Sequence, residues 1–404
     1  MTLCVSFILV LFWSIFFLLP CVAVSLYYGL FVVLRLCGFK SQYNGGLSRQ
    51  KKRFAIVIPA HNEAEIIETT LASVQGINFP QEQFTVFVVA DNCSDTTAEI
   101  ARKQDCEVLE RFDTERSGKG CALAWAFGQI LPQDYDAVAV LDADCTISPD
   151  ALNVYESLLQ QGKRVLQSHY FVGNPDENVI SFAAAVGNAL EYELFYAPKS
   201  VCGLAVMLVG TGMVFDKSVL LENPWTANSL TEDAEYAVQL AENDVQVTFV
   251  SNIKVTQNAS AHQSQLRVQR ARWAKGTSDL AYQRGVKLAI NGLCRAKLYL
   301  ADLGFTLFVV SRAFIFCGIL LTAALSVPVA FLATPALRIP LLCTAWACVM
   351  LNVLYVMTAF YFVGITRHRL VMLCQSPLIL CQMAWLSFKS FFSKKHSWSK
   401  TPRS

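Results

Sequence analysis

The chain has 404 residues, 54% of them hydrophobic, with a net charge of +2 and 14 cysteines. The apolar share exceeds the roughly 45–50% of a soluble protein, and the excess lies at the two ends, which excludes a single soluble domain. A charge this close to neutrality gives no footprint for nucleic acid. The cysteines are scattered with no Cys-x-x-Cys pair, so they read as small buried hydrophobes in a reducing compartment, not as a disulfide framework or a zinc site.

Residues 1–34 carry no charged side chain. They lack the basic start, short apolar core and small-residue cleavage site of a secretory signal, so 1–40 reads as an uncleaved N-terminal transmembrane anchor. The apolar run over 5–37 exceeds the roughly 20 residues one span needs. It is either one long tilted helix kinked near Pro20 or a tight hairpin. Lys40, Arg49, Lys51, Lys52 and Arg53 follow it, which favours exit on the cytosolic side.

Residues 50–280 read as a cytosolic α/β domain. Runs at 54–58, 84–89 and 137–141 have the near-continuous apolar character of buried parallel strands. The amphipathic stretches 63–75, 95–104 and 119–131 are predicted helices, with Asp95 and Thr96 as cap candidates for the second. This βαβ rhythm predicts a Rossmann-like, mostly parallel sheet that binds ligands at the carboxyl ends of its strands.

Residues 177–210 are apolar and weakly periodic. Residues 281–305 place Arg284, Lys287, Arg295 and Lys297 among Leu, Ile and Tyr, the pattern of an amphipathic helix lying in the membrane interface. Residues 306–366 hold two transmembrane helices, near 307–333 and 340–364, whose short connection carries a single base, Arg338. In 367–404, the apolar stretch 370–388 has Arg367, His368 and Arg369 on one side and Lys389, Lys394, Lys395 and Lys400 on the other. Bases at both ends favour an interfacial helix and a basic tail over another crossing.

Six short motifs or single residues fall where such a domain would use them. Pro59-Ala60-His61-Asn62-Glu63 closes the first strand and opens a helix, a setting suited to a nucleotide. Asp91, just past the second strand, can accept hydrogen bonds from a base or ribose. Arg116-Ser117-Gly118-Lys119-Gly120 puts glycines and a cation at a helix start, but lacks Walker A spacing, which argues against a kinase or ATPase. Asp142-Ala143-Asp144 follows the strand at 137–141, and two carboxylates there can hold a hard cation that bridges phosphates. Thr231-Glu232-Asp233 opens a helix. It is either a plain acidic cap or a source of a general base, Asp233. Gln269-Arg270-Ala271-Arg272-Trp273 supplies Arg272 for a leaving diphosphate, Trp273 as a flat apolar face for a sugar, and Gln269 one turn before Trp273 on the same helical face. A basic interfacial helix with a Trp anchor is the plainer reading of this last motif.

In this order, Asp91, Asp142-Ala143-Asp144, Glu232-Asp233 and Gln269-Arg270-Ala271-Arg272-Trp273 resemble the signature of the membrane-integrated family-2 glycosyltransferases, which have the GT-A fold. The resemblance spans roughly 54–280 and extends to polysaccharide synthases and ceramide glucosyltransferases. It implies that Asp91 binds uracil or ribose with the Pro59–Glu63 turn, through Pro59, His61 and Glu63, and that Lys119 and Ala143 belong to the donor site. Asp142 and Asp144 would hold the donor phosphates and Mg²⁺ or Mn²⁺, and Asp233 would be the catalytic base. Glu232, Gln269, Arg272 and Trp273 would line the acceptor and diphosphate site. The reaction it implies is inverting: a UDP-sugar donor gives a β-linked product on a glycan or lipid acceptor at the inner membrane face, among membrane lipids. An export partner or homo-oligomer is implied if the product is a secreted polymer.

Two other readings were weighed against this one. A polyprenyl-phosphate sugar transferase shares the fold but does not characteristically carry the Gln-x-x-Arg-Trp motif. A transporter or membrane scaffold would want more spans, with charged or helix-breaking residues at mid-membrane.

Overall fold

The computed structural model describes residues 2–39, 51–259, 263–309 and 311–392. Lys40, Arg49, Lys394, Lys395 and Lys400 of the basic clusters lie outside them.

One eight-stranded sheet organises the catalytic domain. Its strands are β1 (Phe54–Ala60), β2 (Phe84–Asp91), β3 (Glu107–Arg111), β4 (Ala137–Val140), β5 (Cys145–Ile147), β6 (Val165–Val172), β7 (Met213–Asp216) and β8 (Val247–Gln257), in the spatial order β3-β2-β1-β4-β7-β6-β8-β5. β3, β2, β1 and β4 run parallel. β7 enters antiparallel between β4 and β6, while β6 and β8 are parallel and β5 pairs antiparallel with β8. This is the GT-A arrangement.

The apolar runs divide their side chains between two cores, as a sheet covered on both faces requires. Phe54, Ile56 and Ile58 of β1, Val86 and Val88 of β2, and Ala137 and Ala139 of β4 enter one core. Ala55 and Val57, Phe87 and Val89, and Val138 and Val140 enter the other. The second core also takes in Tyr28, Phe31, Tyr355 and Phe360 from the long apolar helices. The sheet domain and the helical bundle therefore share one packed interior.

Charged pairs stitch this junction. Arg35 Nη2 lies 2.5 Å from Glu193 Oε2, Arg312 Nη1 3.0 Å from Glu191 Oε2, and Arg369 Nε 2.7 Å from Asp176 Oδ1. Lys199, fully buried, lies 2.8 Å from Asp302 and donates to Thr306 Oγ1 at 2.7 Å. The apolar stretch 177–210 supplies three of these groups, Glu191, Glu193 and Lys199. Its weak periodicity reflects contacts on several sides: Val179–Asn188, a wide π-helical turn at Ala189–Tyr196, then Ala197–Val201.

Four helices among the described residues are long and apolar enough to cross a membrane: Val5–Leu36, Arg312–Leu332, Pro335–Val363 and Arg367–Lys389. The N-terminal one is a continuous helix of 32 residues, not a hairpin. At about 1.5 Å per residue it outruns a hydrocarbon core of about 30 Å. Pro20 sits just past a π-helical turn at Ser14–Leu18, where the missing N–H interrupts the regular ladder. Residues 281–305 do not form the single helix expected. A π-helical turn at Ala281–Gly285 leads into Val286–Cys294, which folds back at Arg295–Lys297 onto Leu298–Val309. Gly292 and Gly304 make the two helices touch backbone to backbone, since a Cβ on Gly292 would lie 2.2 Å from Ala301 N and one on Gly304 2.5 Å from Ala289 N. The outer side keeps Tyr282, Val286, Ile290 and Leu293 exposed. The helix Arg367–Phe392, expected to lie in the interface, has the length and composition of a further span.

Candidate active site

The site begins where β1 ends. Pro59 sits in a central strand without breaking it because of where its missing N–H falls. Val57 O accepts from Leu141 N at 3.0 Å, so residues of that parity, Pro59 included, face β4. Pairing with β4 ends at Val57↔Val140, so no ladder bond is lost. Asn62 and Asn92 then take left-handed turns, with φ of 56° and 50°, which asparagine tolerates best after glycine. The two turns brace each other. His61 Nδ1 lies 2.7 Å from Asp91 O, Asn62 Oδ1 accepts from Ser94 N at 2.7 Å, and Glu63 N donates to Thr97 Oγ1 at 2.8 Å. Thr97 N in turn donates to Asp95 Oδ1 at 3.0 Å, which makes Asp95 the side chain that starts the next helix.

Asp91 closes β2 and is buried. Its Oδ1 accepts from Arg111 Nη1 at 2.6 Å and from Asn92 Nδ2 at 3.1 Å. Arg111 is its register partner on β3. Through Nη2, Arg111 also reaches Asp113 at 2.9 Å and Arg116 O at 2.6 Å. The loop before Lys119 is thereby pinned to the same cation.

Gly118, at φ 113°, turns the chain into the helix Lys119–Ile130. Lys119 Nζ pairs with Asp142 and donates to Gly210 O at 2.6 Å, with 24% and 31% of the two side chains open to the cleft. Asp142 N donates to Thr211 Oγ1 at 3.1 Å, and Thr70 Oγ1 donates to Ala143 O at 2.7 Å. These bonds fix the backbone between the two acids. Asp142, Asp144 and Cys145 bring their ligand atoms within 4.8 Å of one another. Burial pushes the Cys145 thiol well above its ordinary range, and sulfur is a soft donor ill suited to a hard cation. The two carboxylates are the hard donors that fit Mg²⁺ or Mn²⁺.

Glu232 and Asp233 occupy the first turn of the helix Glu232–Glu242. Thr231 makes no capping bond with its hydroxyl. Asp233 Oδ1 accepts from Ala234 N at 2.8 Å instead, so one of its oxygens serves a first-turn amide as in an acidic cap. Burial raises both acids, and the neighbouring charge of Asp233 helps push Glu232 up to about 7. Burial would lower Lys119, but Asp142, Glu232 and Asp233 together outweigh it and hold the ammonium above its ordinary value. Gly210, at φ +83°, lets these groups meet: a Cβ there would lie 3.1 Å from Asp233 Oδ2 and 3.2 Å from Lys119 Nζ.

The helix Gln263–Leu280 forms the facing wall. It comes close because Gly276 abuts Thr231, where a Cβ would lie 2.6 Å from both Cγ2 and Oγ1. The Arg272 charge acts on both Asp142 and Glu232. The Nε atoms of Arg270 and Arg272 are buried with no hydrogen-bond partner among the described residues. Arg270 Cζ stands 5.2 Å from the centre of the Trp273 ring.

Pro59, His61, Glu63, Asp91, Lys119, Asp142, Ala143, Asp144, Glu232, Asp233, Gln269, Arg272 and Trp273 all border one cleft of about 1900 Å³. Asn62, Arg116 and Ala271 of the same motifs are not among the residues lining it. The sequence motifs give no role to Arg111, Gly210, Thr211 or Arg270. Arg111 becomes visible only once β3 is paired to β2, and Gly210 carries no local signal beyond being a glycine.

The profile described as "Glycosyltransferase like family 2" matches residues 52–276. A beta-monoglucosyldiacylglycerol synthase of Trichormus variabilis is 27% identical over 240 residues, 57% of this chain and 49% of that protein. A poly-beta-1,6-N-acetyl-D-glucosamine synthase of Staphylococcus epidermidis is 26% identical over 237 residues, 57% of this chain and 56% of that protein. The chain thus spans about half the length of the curated relatives it matches. Among solved structures, a mannosyltransferase from Pyrobaculum calidifontis in complex with GDP-Man and Mn²⁺ superposes with a TM-score of 0.55 at 16% identity, over 85% of this chain and 96% of that one. With the profile matched over more than half the chain, the chain belongs to glycosyltransferase family 2.

Proposed function

We propose that this protein transfers a hexose or N-acetylhexosamine, with inversion, from a UDP-sugar to a hydroxyl of a glycolipid or polysaccharide acceptor at the inner face of a membrane. The carrying observation is that the cleft bringing Asp91, Asp142, Asp144, Asp233, Arg272 and Trp273 together continues among the apolar helices. The relatives named for a glycolipid and for a polysaccharide product support the acceptor class. The bases at Lys51, Lys52 and Arg53, just after the first apolar helix, support a cytosolic catalytic domain.

In this reading Asp91 takes the uracil or ribose, held in place by Arg111 and flanked by the Pro59–Glu63 turn. Asp142 and Asp144 would hold Mg²⁺ or Mn²⁺, which neutralises charge on the leaving diphosphate. Lys119 and Arg272 add fixed positive charge beside it. The Asp233 carboxylate accepts the acceptor's hydroxyl proton as that oxygen bonds to the anomeric carbon. The bond from that carbon to the phosphate oxygen breaks, and its electron pair leaves with UDP. One displacement gives inversion, with no covalent sugar–enzyme intermediate.

The deciding experiment compares wild type with Asp233→Asn in transfer from radiolabelled UDP-sugars to membrane-lipid and oligosaccharide acceptors, with UDP binding measured alongside. Transfer is expected to vanish while UDP binding persists. Wild-type turnover by Asp233→Asn would remove the base from Asp233.

A further inference from the structure

The cleft does not stop at the sugar-transfer site. Besides Asp142 and Asp144, the same cleft is lined by Tyr170, Tyr192, Glu191 and Arg270. Glu191 pairs with Arg312 at the start of the apolar helix Arg312–Leu332. Beyond this polar waist the cleft runs between the helix Val179–Asn188 and the candidate spans Arg312–Leu332 and Arg367–Lys389. Its walls there are Phe182, Phe314, Ile315, Ile379, Met383 and Leu386.

The hydroxyls in this arm already have protein partners. Ser311 and Ser387 bond each other at 2.7 Å, and Ser376 donates to Met372 O at 2.8 Å. A sugar chain threaded here would exchange its hydration for apolar walls, at the cost borne by unpaired polar groups. A hydrocarbon chain has no such groups to satisfy. At the waist the need is reversed, because the buried Nε of Arg270 has no partner among the described residues and asks for an oxygen.

We propose, building on the transferase reading above, that the acceptor is a membrane lipid with a free headgroup hydroxyl. Its hydrocarbon lies in the apolar arm, its headgroup oxygens meet Arg270, and the hydroxyl reaches Asp233. The lipid O–H bond breaks with its proton passing to Asp233, the oxygen bonds to the anomeric carbon, and UDP leaves with the electron pair. A growing glycan is the competing occupant, and the experiment separates the two.

The test uses the full chain in phosphatidylcholine vesicles with a panel of radiolabelled UDP-glucose, UDP-galactose and UDP-N-acetylglucosamine. The acceptors are dioleoylglycerol, ceramide or a soluble cello-oligosaccharide. Label is expected in the organic-extractable product from one of the two lipids. Gly187 borders the cleft, and a Cβ there meets nothing within 4 Å, so Gly187→Trp can be accommodated while obstructing the arm. This variant should lose at least about tenfold in transfer to the lipid while hydrolysing UDP-sugar at the wild-type rate. Should it fail to fold, Met383→Glu places a charge in the same arm, and the ratio of lipid transfer to UDP-sugar hydrolysis in the same sample should fall by at least about tenfold. Lipid transfer unchanged in the variant that folds, label in the oligosaccharide or a polymer, or hydrolysis with transfer to neither lipid would each overturn the lipid assignment while leaving the transferase reading in place. Failure to turn over any UDP-sugar would overturn both.

Discussion

Arg111 and Asp91 face each other across the β2–β3 pairing with Nη1 and Oδ1 2.6 Å apart, and their side chains are only 6% and 8% exposed. The acid proposed to meet the nucleotide is therefore half of a buried ion pair. Breaking such a pair by removing one partner costs about 3–5 kcal/mol, because a charge is left buried alone. Arg111→Leu should lower the unfolding midpoint by a corresponding amount and weaken UDP binding in calorimetric titration. Arg111→Lys should recover only part of both, since one ammonium cannot reproduce the fork that spans Asp91, Asp113 and Arg116 O. Wild-type stability in Arg111→Leu would contradict this account.

Gly210 leaves room for Asp233 and Lys119, both of which a Cβ there would crowd. Gly210→Ala should suffer a left-handed strain of about 1–2 kcal/mol and also push Asp233 away from Lys119. Gly162 provides the control: its φ is +81°, but a Cβ there meets nothing within 4 Å. Gly162→Ala should cost similar stability and leave kcat alone, whereas Gly210→Ala should lower kcat about tenfold or more. Equal kcat in the two variants would mean that the contact does not matter.

The buried acid pair sets the pH response. Burial raises Asp233 and pushes Glu232 up to about 7, from ordinary values of 3.8 and 4.5. A base must be deprotonated to act, so a raised value means activity is present above it and lost as pH falls through it. The acid limb of kcat/KM should thus lie above the ordinary aspartate range, as a joint property of the pair. Lys119 holds both acids down, so Lys119→Met should move the limb to higher pH in whatever activity remains. A limb left near pH 4 would argue against the pair.

Removal of the divalent cation gives a separate check. Chelation with EDTA should abolish transfer, and Mg²⁺ or Mn²⁺ should restore it. Asp144→Asn should raise the metal concentration needed for half-maximal activity. Cys145→Ala should leave that concentration unchanged, because sulfur is a poor ligand for a hard cation that prefers oxygen. Full activity in EDTA would remove the role given to Asp142 and Asp144.

Much of the site can be read in the chain because its parts are local. Asp142-Ala143-Asp144 sits at the end of an apolar strand, and Glu232-Asp233 opens a helix. Strand ends and helix starts are written in short-range patterns of hydrophobicity and capping. Arg111 was not legible because β3 alternates Glu, Val, Leu, Glu and Arg over five residues and sits at the sheet edge, with a pattern too short and too charged to register. The fold-back at Arg295–Lys297 was missed for a similar reason: it depends on Gly292 and Gly304 meeting residues from the other helix.

By itself, the order of residues determined the parallel core strands, the apolar ends and the acids and Arg-Trp pair of a family-2 site, because each follows from side-chain chemistry over a few neighbouring positions. Only the tertiary structure decided that Arg111 backs Asp91, that Gly210 leaves room for both Lys119 and Asp233, and that the cleft borders the apolar helices. Those are distances between segments tens to hundreds of residues apart, set by packing of the whole sheet against the bundle, and no local pattern encodes them.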